Sequence, residues 1–275
     1  MDLFQQIKKK PLVMGILNVT PDSFFDGGKY IDEKNILLRA EQIINEGADI
    51  IDIGGYSSRP SAEEISEEKE ILRLAPAIEL IIKRFPTVVF SVDTFRANVA
   101  KKVVNDYKVS IINDISGGTL DQNMVETIAE LHNVYYVLMH MRGTPKTMQQ
   151  KENVTYNNVT ESVFLFFQQK IEELNALGFN RIILDPGFGF AKTTEQNYEL
   201  LRNLSKFCTF EKPILAGMSR KTMLWKTLEC EPNDCLNATT VVNTMALMNG
   251  VGILRVHDVK EAVECVKIFQ QYNNV

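Results

Sequence analysis

Eight short apolar runs, each followed by a longer segment of helical period, constrain this chain more than any other feature. They cover 12–17, 48–53, 88–92, 110–112, 134–139, 181–184, 213–216 and 252–256. The runs are rich in Ile and Val and nearly continuous, the pattern of parallel strands buried on both faces. Between them, Ile36, Leu37, Ala40, Ile43 and Ile44 form a helical stripe that Gly47 ends. Val259, Ala262, Val263, Val266 and Phe269 form another, with Asp258 as candidate cap and Glu261 three residues on. No Pro-, Gly- or Ser-rich linker breaks the series, so residues 1–275 read as one domain. The expected class is α/β, a single (β/α)8 TIM barrel. A doubly wound open sheet fits the same periodicity, because periodicity does not show closure.

Charge and composition narrow the function. Thirty Lys and Arg against 35 Asp and Glu give a net charge of −5, which offers no electrostatic case for nucleic acid or an anionic membrane. The basic run Lys8-Lys9-Lys10 reads as a solvated lead-in. No apolar stretch approaches the roughly 18 residues a membrane span needs, and Val163 to Phe167 reads as a core face. The first residues lack a charged-then-apolar signal pattern, so a cytoplasmic location is expected. Cys208, Cys230, Cys235 and Cys265 have no metal-ligand spacing and read as buried, reduced thiols.

Polar and glycine residues gather where the runs end: Asn18, Asp52-Ile53-Gly54-Gly55, Asp93, Asn113-Asp114, His140, Asp185-Pro186-Gly187, Gly217, Arg255 and His257. In a parallel barrel these ends converge on the C-terminal mouth, where active sites lie. Helix capping accounts for single members but not for the set. Carboxylates such as Asp93 and Asp185 suit a flat heterocycle edge with adjacent N–H donors, and the amide of Asn113 suits the same edge. Lys221, Arg255 and His257 suit a phosphate or diphosphate. Ser219-Arg220-Lys221 reads as a basic cluster at a helix start, for an anion or a ring oxygen, rather than as a Schiff-base site. His257 has two readings, general acid or partner of Arg255 on a shared anion. His140 reads as a strand end or a ligand. The insertion from Pro21 to Tyr30 carries Phe24 and Phe25, as a lid over bound substrate would.

With these segments in order, the chain resembles the dihydropteroate synthase family from about Pro11 to about Val266. The resemblance rests on Met14-Gly15-Ile16-Leu17-Asn18-Val19-Thr20-Pro21-Asp22-Ser23-Phe24, on Asp52-Ile53-Gly54-Gly55 followed by Ser57, Arg59 and Pro60, and on Ser91-Val92-Asp93-Thr94. Further matches are Ile112 to Gly118, Leu138-Met139-His140-Met141, Asp185 to Phe190, Gly217 to Lys221 and Arg255-Val256-His257. It implies a TIM barrel with long loops after strands one and two over the mouth. It also implies condensation of 7,8-dihydropterin-6-ylmethyl diphosphate with 4-aminobenzoate to 7,8-dihydropteroate and diphosphate, by an SN1-like path.

The implied pterin pocket is Asp93, Asn113, Ile115, Met139, Asp185, Gly217, Lys221 and Arg255. Asn18, Arg255 and His257 would hold the diphosphate, with Asn18 also ligating Mg2+, the only cofactor implied. Aminobenzoate would lie near Phe24, Ser58, Arg59, Pro60, Phe190, Lys221 and Thr222. Catalytic roles fall to Asp22 and Asp26 near the cationic methylene, and to Lys221, Arg255 and His257. The partners implied are small-molecule substrates and a second copy of the chain in a homodimer.

The chain departs from the family pattern at Tyr56 and Ser58, where Glu and Thr are common, at Ser61 for a usual glycine, and at Thr222 for serine. Aminobenzoate and sulfonamide affinity are where these changes would act. Two other readings are a methyltetrahydrofolate–corrinoid methyltransferase and a non-catalytic pterin-binding relative. The first has no need of the first-loop signature or the Arg255–His257 pair. The second would be favoured by loss of Asn18, Lys221, Arg255 or His257, all of which are present.

Overall fold

The eight apolar runs become eight parallel strands. The computed structural model describes residues 2–20, 25–26, 30–57 and 64–274. In order these form α1 (Leu3–Lys9), β1 (Leu12–Asn18), the hairpin strands β2 (Phe25–Asp26) and β3 (Tyr30–Ile31), α2 (Glu33–Asn45), β4 (Ile50–Gly54), α3 (Glu67–Arg84), β5 (Val89–Asp93) and α4 (Ala97–Tyr107). Then follow β6 (Ile111–Asp114), α5 (Met124–Glu130), β7 (Tyr135–Met139), α6 (Lys151–Val154), α7 (Val159–Ala176), β8 (Ile182–Asp185) and α8 (Thr194–Arg202). The last are β9 (Leu215–Ala216), α9 (Thr222–Leu228), α10 (Leu236–Met248), β10 (Ile253–Val256) and α11 (Val259–Asn273). Five strands run on into Asn18, Gly54, Asp93, Asp114 and Asp185, where the apolar pattern has already stopped. A polar side chain ends a hydrophobic run but not a backbone ladder.

The order β8-β7-β6-β5-β4-β1-β10-β9 leaves one seam, and a parallel bridge between Leu184 and Ile214 closes it. There Leu184 N donates to Pro213 O at 2.9 Å. The molecule is therefore the TIM barrel and not the open sheet.

Alternation along each strand divides the core in two. Leu12, Met14, Ile50, Ile111, Val137, Ile183, Leu215 and Ile253 point inward and fill the lower barrel. Their neighbours Val13, Ile51, Ile112, Leu138, Ile182, Leu184 and Leu254 point outward against the helices. α1 stops the bottom: Leu3 joins the inner cluster, its N–H donates to Tyr135 Oη at 3.0 Å, and that hydroxyl donates to Asp2 at 2.6 Å.

Three local expectations are corrected. Val163 to Phe167 is not a continuous core face, because the turn of α7 buries Val163 and Phe167 while Leu165 is 54% exposed. Cys208 is exposed rather than buried. Asp258 occupies the N-cap position of α11 but makes no capping bond, its carboxylate being taken by Arg220.

Candidate active site

The inward positions change character two residues above the lower layer. Ile50 is followed on its face by Asp52, Ile111 by Asn113, Val137 by Met139, Ile183 by Asp185, Leu215 by Gly217 and Ile253 by Arg255. Register pairs Gly54 with Asp93, Asp93 with Asn113, and Met139 with Asp185, so these residues form one ring at the mouth. Asn18, at the mouth end of β1, is exposed.

Arg255 organises the floor of this ring. Its Nε donates to Asp52 Oδ2 and its Nη2 to Asp93 Oδ2, both at 2.7 Å. Asn113 Nδ2 donates to the same Asp52 oxygen at 3.0 Å. Burial would lower the basicity of Arg255, but Asp52 and Asp93 hold it above its ordinary value. Burial pushes the Asp93 carboxyl upward against the pull of Arg255, with Asp52, Glu70 and Asp114 adding to the rise. Two carboxylates on one guanidinium leave this trio with a net negative charge when all are ionised. Asp52 Oδ1 is buried and has no hydrogen-bond partner among the described residues.

On the other side stand Asp185 and Lys221. Asp185 is 6% exposed, accepts the Gly187 N–H at 2.8 Å, and is shifted upward by burial against the opposing charge of Lys221. Lys221 is the N-cap residue of α9, as expected of a helix start. Its ammonium donates to Phe188 O and lies 4.8 Å from the centre of the Phe190 ring. Burial lowers its pKa to about 8, although Asp185 resists. Ile115, Met139, Met141, Met148 and Ala191, with Phe95 and Phe190 against them, make an apolar wall beside these groups. Low dielectric strengthens every charge interaction next to such a wall.

These observations place three carboxylates, an amide and two cations in one mouth, against an apolar wall. Residues 14–257 match the family described as pterin binding enzyme. A dihydropteroate synthase of Haemophilus influenzae is 39% identical over 266 residues, spanning 96% of this chain and 94% of the relative. This chain belongs to the dihydropteroate synthase family. Solved dihydropteroate synthases share its architecture. That of Yersinia pestis in a sulfonamide drug complex superposes with a TM-score of 0.89 at 40% identity, covering 97% of this chain and 96% of that one. That of Clostridium difficile, crystallised in the presence of pteroic acid, gives 0.88 at 35% identity, covering 96% and 97%.

Within this dihydropteroate synthase fold, some sequence-derived candidates stand elsewhere. Arg220 does not join Lys221 in a basic cluster. Its backbone is left-handed (φ 56°), which turns the guanidinium to Asp258 and, at 3.1 Å, to Asn233 Oδ1. Asp114 faces outward and accepts Tyr136 Oη at 2.6 Å and the N–H groups of Ser116 and Gly118 at 2.7 Å. It braces the 114–118 turn and caps no helix. Thr222 is the first, exposed residue of α9. Asp22, Phe24, Ser58, Arg59 and Pro60 lie outside the described residues, and Asp26 is described only as part of the short strand β2.

His257 is exposed at the rim; its N–H donates to Ser219 Oγ at 3.3 Å and its Nδ1 lies 3.1 Å from the same oxygen. Partial desolvation at the rim, then the charges of Arg255 and Arg220, push its pKa below the ordinary value, the shift being moderated by the ring's exposure.

Two features escaped sequence reading. Asp52 was visible only as a polar strand end, and its contact with Arg255 spans 203 residues of chain. The other is the anchor of the second loop. Tyr56, the unusual residue there, packs edge-on against Phe95 at 5.3 Å, and the Arg96 guanidinium lies over both rings at 5.4 and 5.0 Å. Arg96 is held by the buried carboxylate of Glu70. Glu70→Ala leaves that guanidinium uncompensated and should cost about 3–5 kcal/mol of stability, read by urea denaturation. A loss under about 1 kcal/mol would mean that solvent reaches Arg96 freely.

Proposed function

We propose that this protein condenses 7,8-dihydropterin-6-ylmethyl diphosphate with 4-aminobenzoate. The methylene C–O bond to diphosphate breaks, a C–N bond to the arylamine forms, and one amine proton is released. The observation that carries this reading is the meeting of Asp185, Asp93 and Asn113 with Lys221 and Arg255 in one mouth of a family member. The pteroic acid and sulfonamide complexes of related enzymes support it.

Asp185 would accept two N–H groups from the pterin's amino edge, as a carboxylate does best. Asn113 can both donate and accept, which suits the neighbouring ring atoms. Lys221, short of solvation, would meet the polar ring edge on one side and the aminobenzoate on the other. Asp22 and Asp26 would face the cationic methylene, and Phe24, Ser58, Arg59, Pro60, Phe190 and Thr222 would surround the aminobenzoate. Diphosphate leaving from an electron-rich dihydropterin favours a dissociative path, so the protein's task is to stabilise charge on the departing oxygens. Arg255 and His257 would serve that task.

The amide oxygen of Asn18, open at the mouth, is a hard donor of the kind Mg2+ takes alongside water and substrate phosphates. When bound there, Mg2+ would neutralise charge on the leaving group.

His257 gives this reading a titration. In the free protein its depressed pKa leaves it neutral near pH 7. An anion beside the ring favours the charged form, so diphosphate or pterin diphosphate should raise the pKa. Imidazole NMR shifts followed over pH with and without diphosphate measure this. No rise would remove His257 from the anion site.

We also read residues 1–275 as one domain in a cytoplasmic homodimer. Met245 and Met248 on α10 and Ile268 and Tyr272 on α11 form an exposed apolar face that a second copy could cover.

The direct test is diphosphate release with pterin diphosphate, Mg2+ and 4-aminobenzoate, omitting each in turn. Release coupled to dihydropteroate formation supports the synthase reading. Tight pterin binding without turnover would sink it in favour of a binding relative.

A further inference from the structure

Lys192, between β8 and α8, is 3% exposed. Its Nζ lies 2.9 Å from Phe190 O, 3.1 Å from Gly187 O, 3.3 Å from His140 O and 3.0 Å from His140 Nδ1. No ion pair neutralises it among the described residues. A buried ammonium persists only when its donors are met, and here carbonyl dipoles and an imidazole meet them. Burial pulls its pKa down to about 7 although Asp185 resists, so the ammonium fills as pH falls below neutral, and its three N–H donors are then divided among four acceptors. An ammonium has no lone pair to receive an N–H, so below neutral pH Nδ1 faces it unprotonated and the ring proton sits on Nε2.

The loop gathered by this ammonium is the one on which Lys221 rests, through Phe188 O and the Phe190 ring. Its backbone is unfavourable for an isolated chain. Gly187 (φ 73°), Gly189 (φ 81°) and Ala191 (φ 51°) are left-handed, and a Cβ on Gly187 would stand 2.1 Å from His140 O. Asn197 Oδ1 steadies one side by accepting the Gly189 N–H at 2.7 Å. Lys192 holds the other. Asp185, by contrast, belongs to β8 and is paired in register with Met139.

We propose that Lys192 is a positioning residue. Its ammonium clamps the 186–191 loop to the end of β7, and so sets Phe190 and the seat of Lys221 for the second substrate without touching either substrate. This rests on the condensation reading above. Of the proposed pterin contacts, Asp93, Asn113, Met139, Asp185 and Arg255 stand on strands and Lys221 rests on the clamped loop, so losing the clamp acts mainly on the aminobenzoate side.

The test combines one measurement on the unaltered protein with two variants. 15N NMR of His140 at slightly acidic pH should show a neutral, non-titrating ring with the proton on Nε2. Lys192→Met should raise the aminobenzoate KM roughly tenfold or more, as small misplacements of a binding group do. Lys192→Gln, which keeps donors, should recover part of the loss, and pterin diphosphate Kd should stay within roughly threefold in both. A ring proton on Nδ1, or titration of His140 through the neutral range, overturns the clamp even if neither variant folds. Equal losses for both substrates, or a lower Tm with unchanged KM, overturn the positioning role. Should the unaltered protein show the Nε2 tautomer yet turn over no substrate, the condensation reading fails and the clamp geometry stands.

Discussion

Arg255→Ala should lose both activity and stability, and the stability loss should grow with pH. In the native protein the guanidinium answers Asp52 and Asp93 together, each at 2.7 Å. Deleting one partner of a buried ion pair typically costs about 3–5 kcal/mol, less whatever protonation recovers. Asp93, already raised by burial, is pushed higher once Arg255 no longer opposes the shift. A carboxyl whose folded pKa exceeds its unfolded value makes the folded state bind more protons. Stability of both proteins then falls as pH climbs from the ordinary carboxylate range to the parent's folded value of about 7, and in the variant the fall continues beyond it, so the loss grows above about pH 7. Urea midpoints across that span measure the slope. For activity, the proposed function has Arg255 facing the developing anion, and removing such a donor predicts a loss on the order of 10²–10³ in kcat. A variant within a few fold of the parent, with a stability difference that does not change with pH, would remove Arg255 from the centre of the site.

The second large effect is expected for Lys221→Ala. This ammonium is largely desolvated and makes no direct ion pair among the described residues, so folding should suffer less than in Arg255→Ala. The kinetic loss should be at least on the order of 10² in kcat/KM, because the proposed reading puts Lys221 between both substrates. A second signature is electrostatic. Lys221 is the first charge opposing the burial-driven rise of Asp185. Without it Asp185 rises further and takes up its proton at higher pH. If Asp185 accepts the pterin N–H groups as proposed, pterin binding should then fail on the acid side at a higher pH in the variant. Calorimetric Kd values over pH would show the displacement, and superimposable profiles would mean that Lys221 does not face Asp185.

The barrel could be read from the sequence because its strands are buried on both faces, and short, continuous Ile- and Val-rich runs in a regular series suit little else. The mouth could be read because polar residues sit where those runs stop. What could not be read depends on pairing between distant strands. Asp52 and Asp93 look equivalent as strand ends, and only register and inward parity show both on the same guanidinium. Local backbone decided other cases. Arg220 and Lys221 are adjacent, yet a left-handed residue sends one guanidinium out to Asp258 while the neighbouring ammonium enters the mouth. Lys192 stands beyond any strand, where a lone lysine reads as solvated, and nothing in its neighbours announces burial at 3% exposure.

The seam of the barrel has a dynamic consequence. The strands carrying Asp185 and leading to Lys221 are joined through a single bridge at Leu184 and Ile214, beside a β9 only two residues long. Every other junction in the ring has at least two registered pairs. Thermal opening should therefore begin there, as local breathing that stretches the gap between anion and cation before any other part of the rim yields. A ligand spanning Asp185 and Lys221 would stitch the weakest joint shut, so occupancy should quiet the wall of the barrel as well as the loops above it.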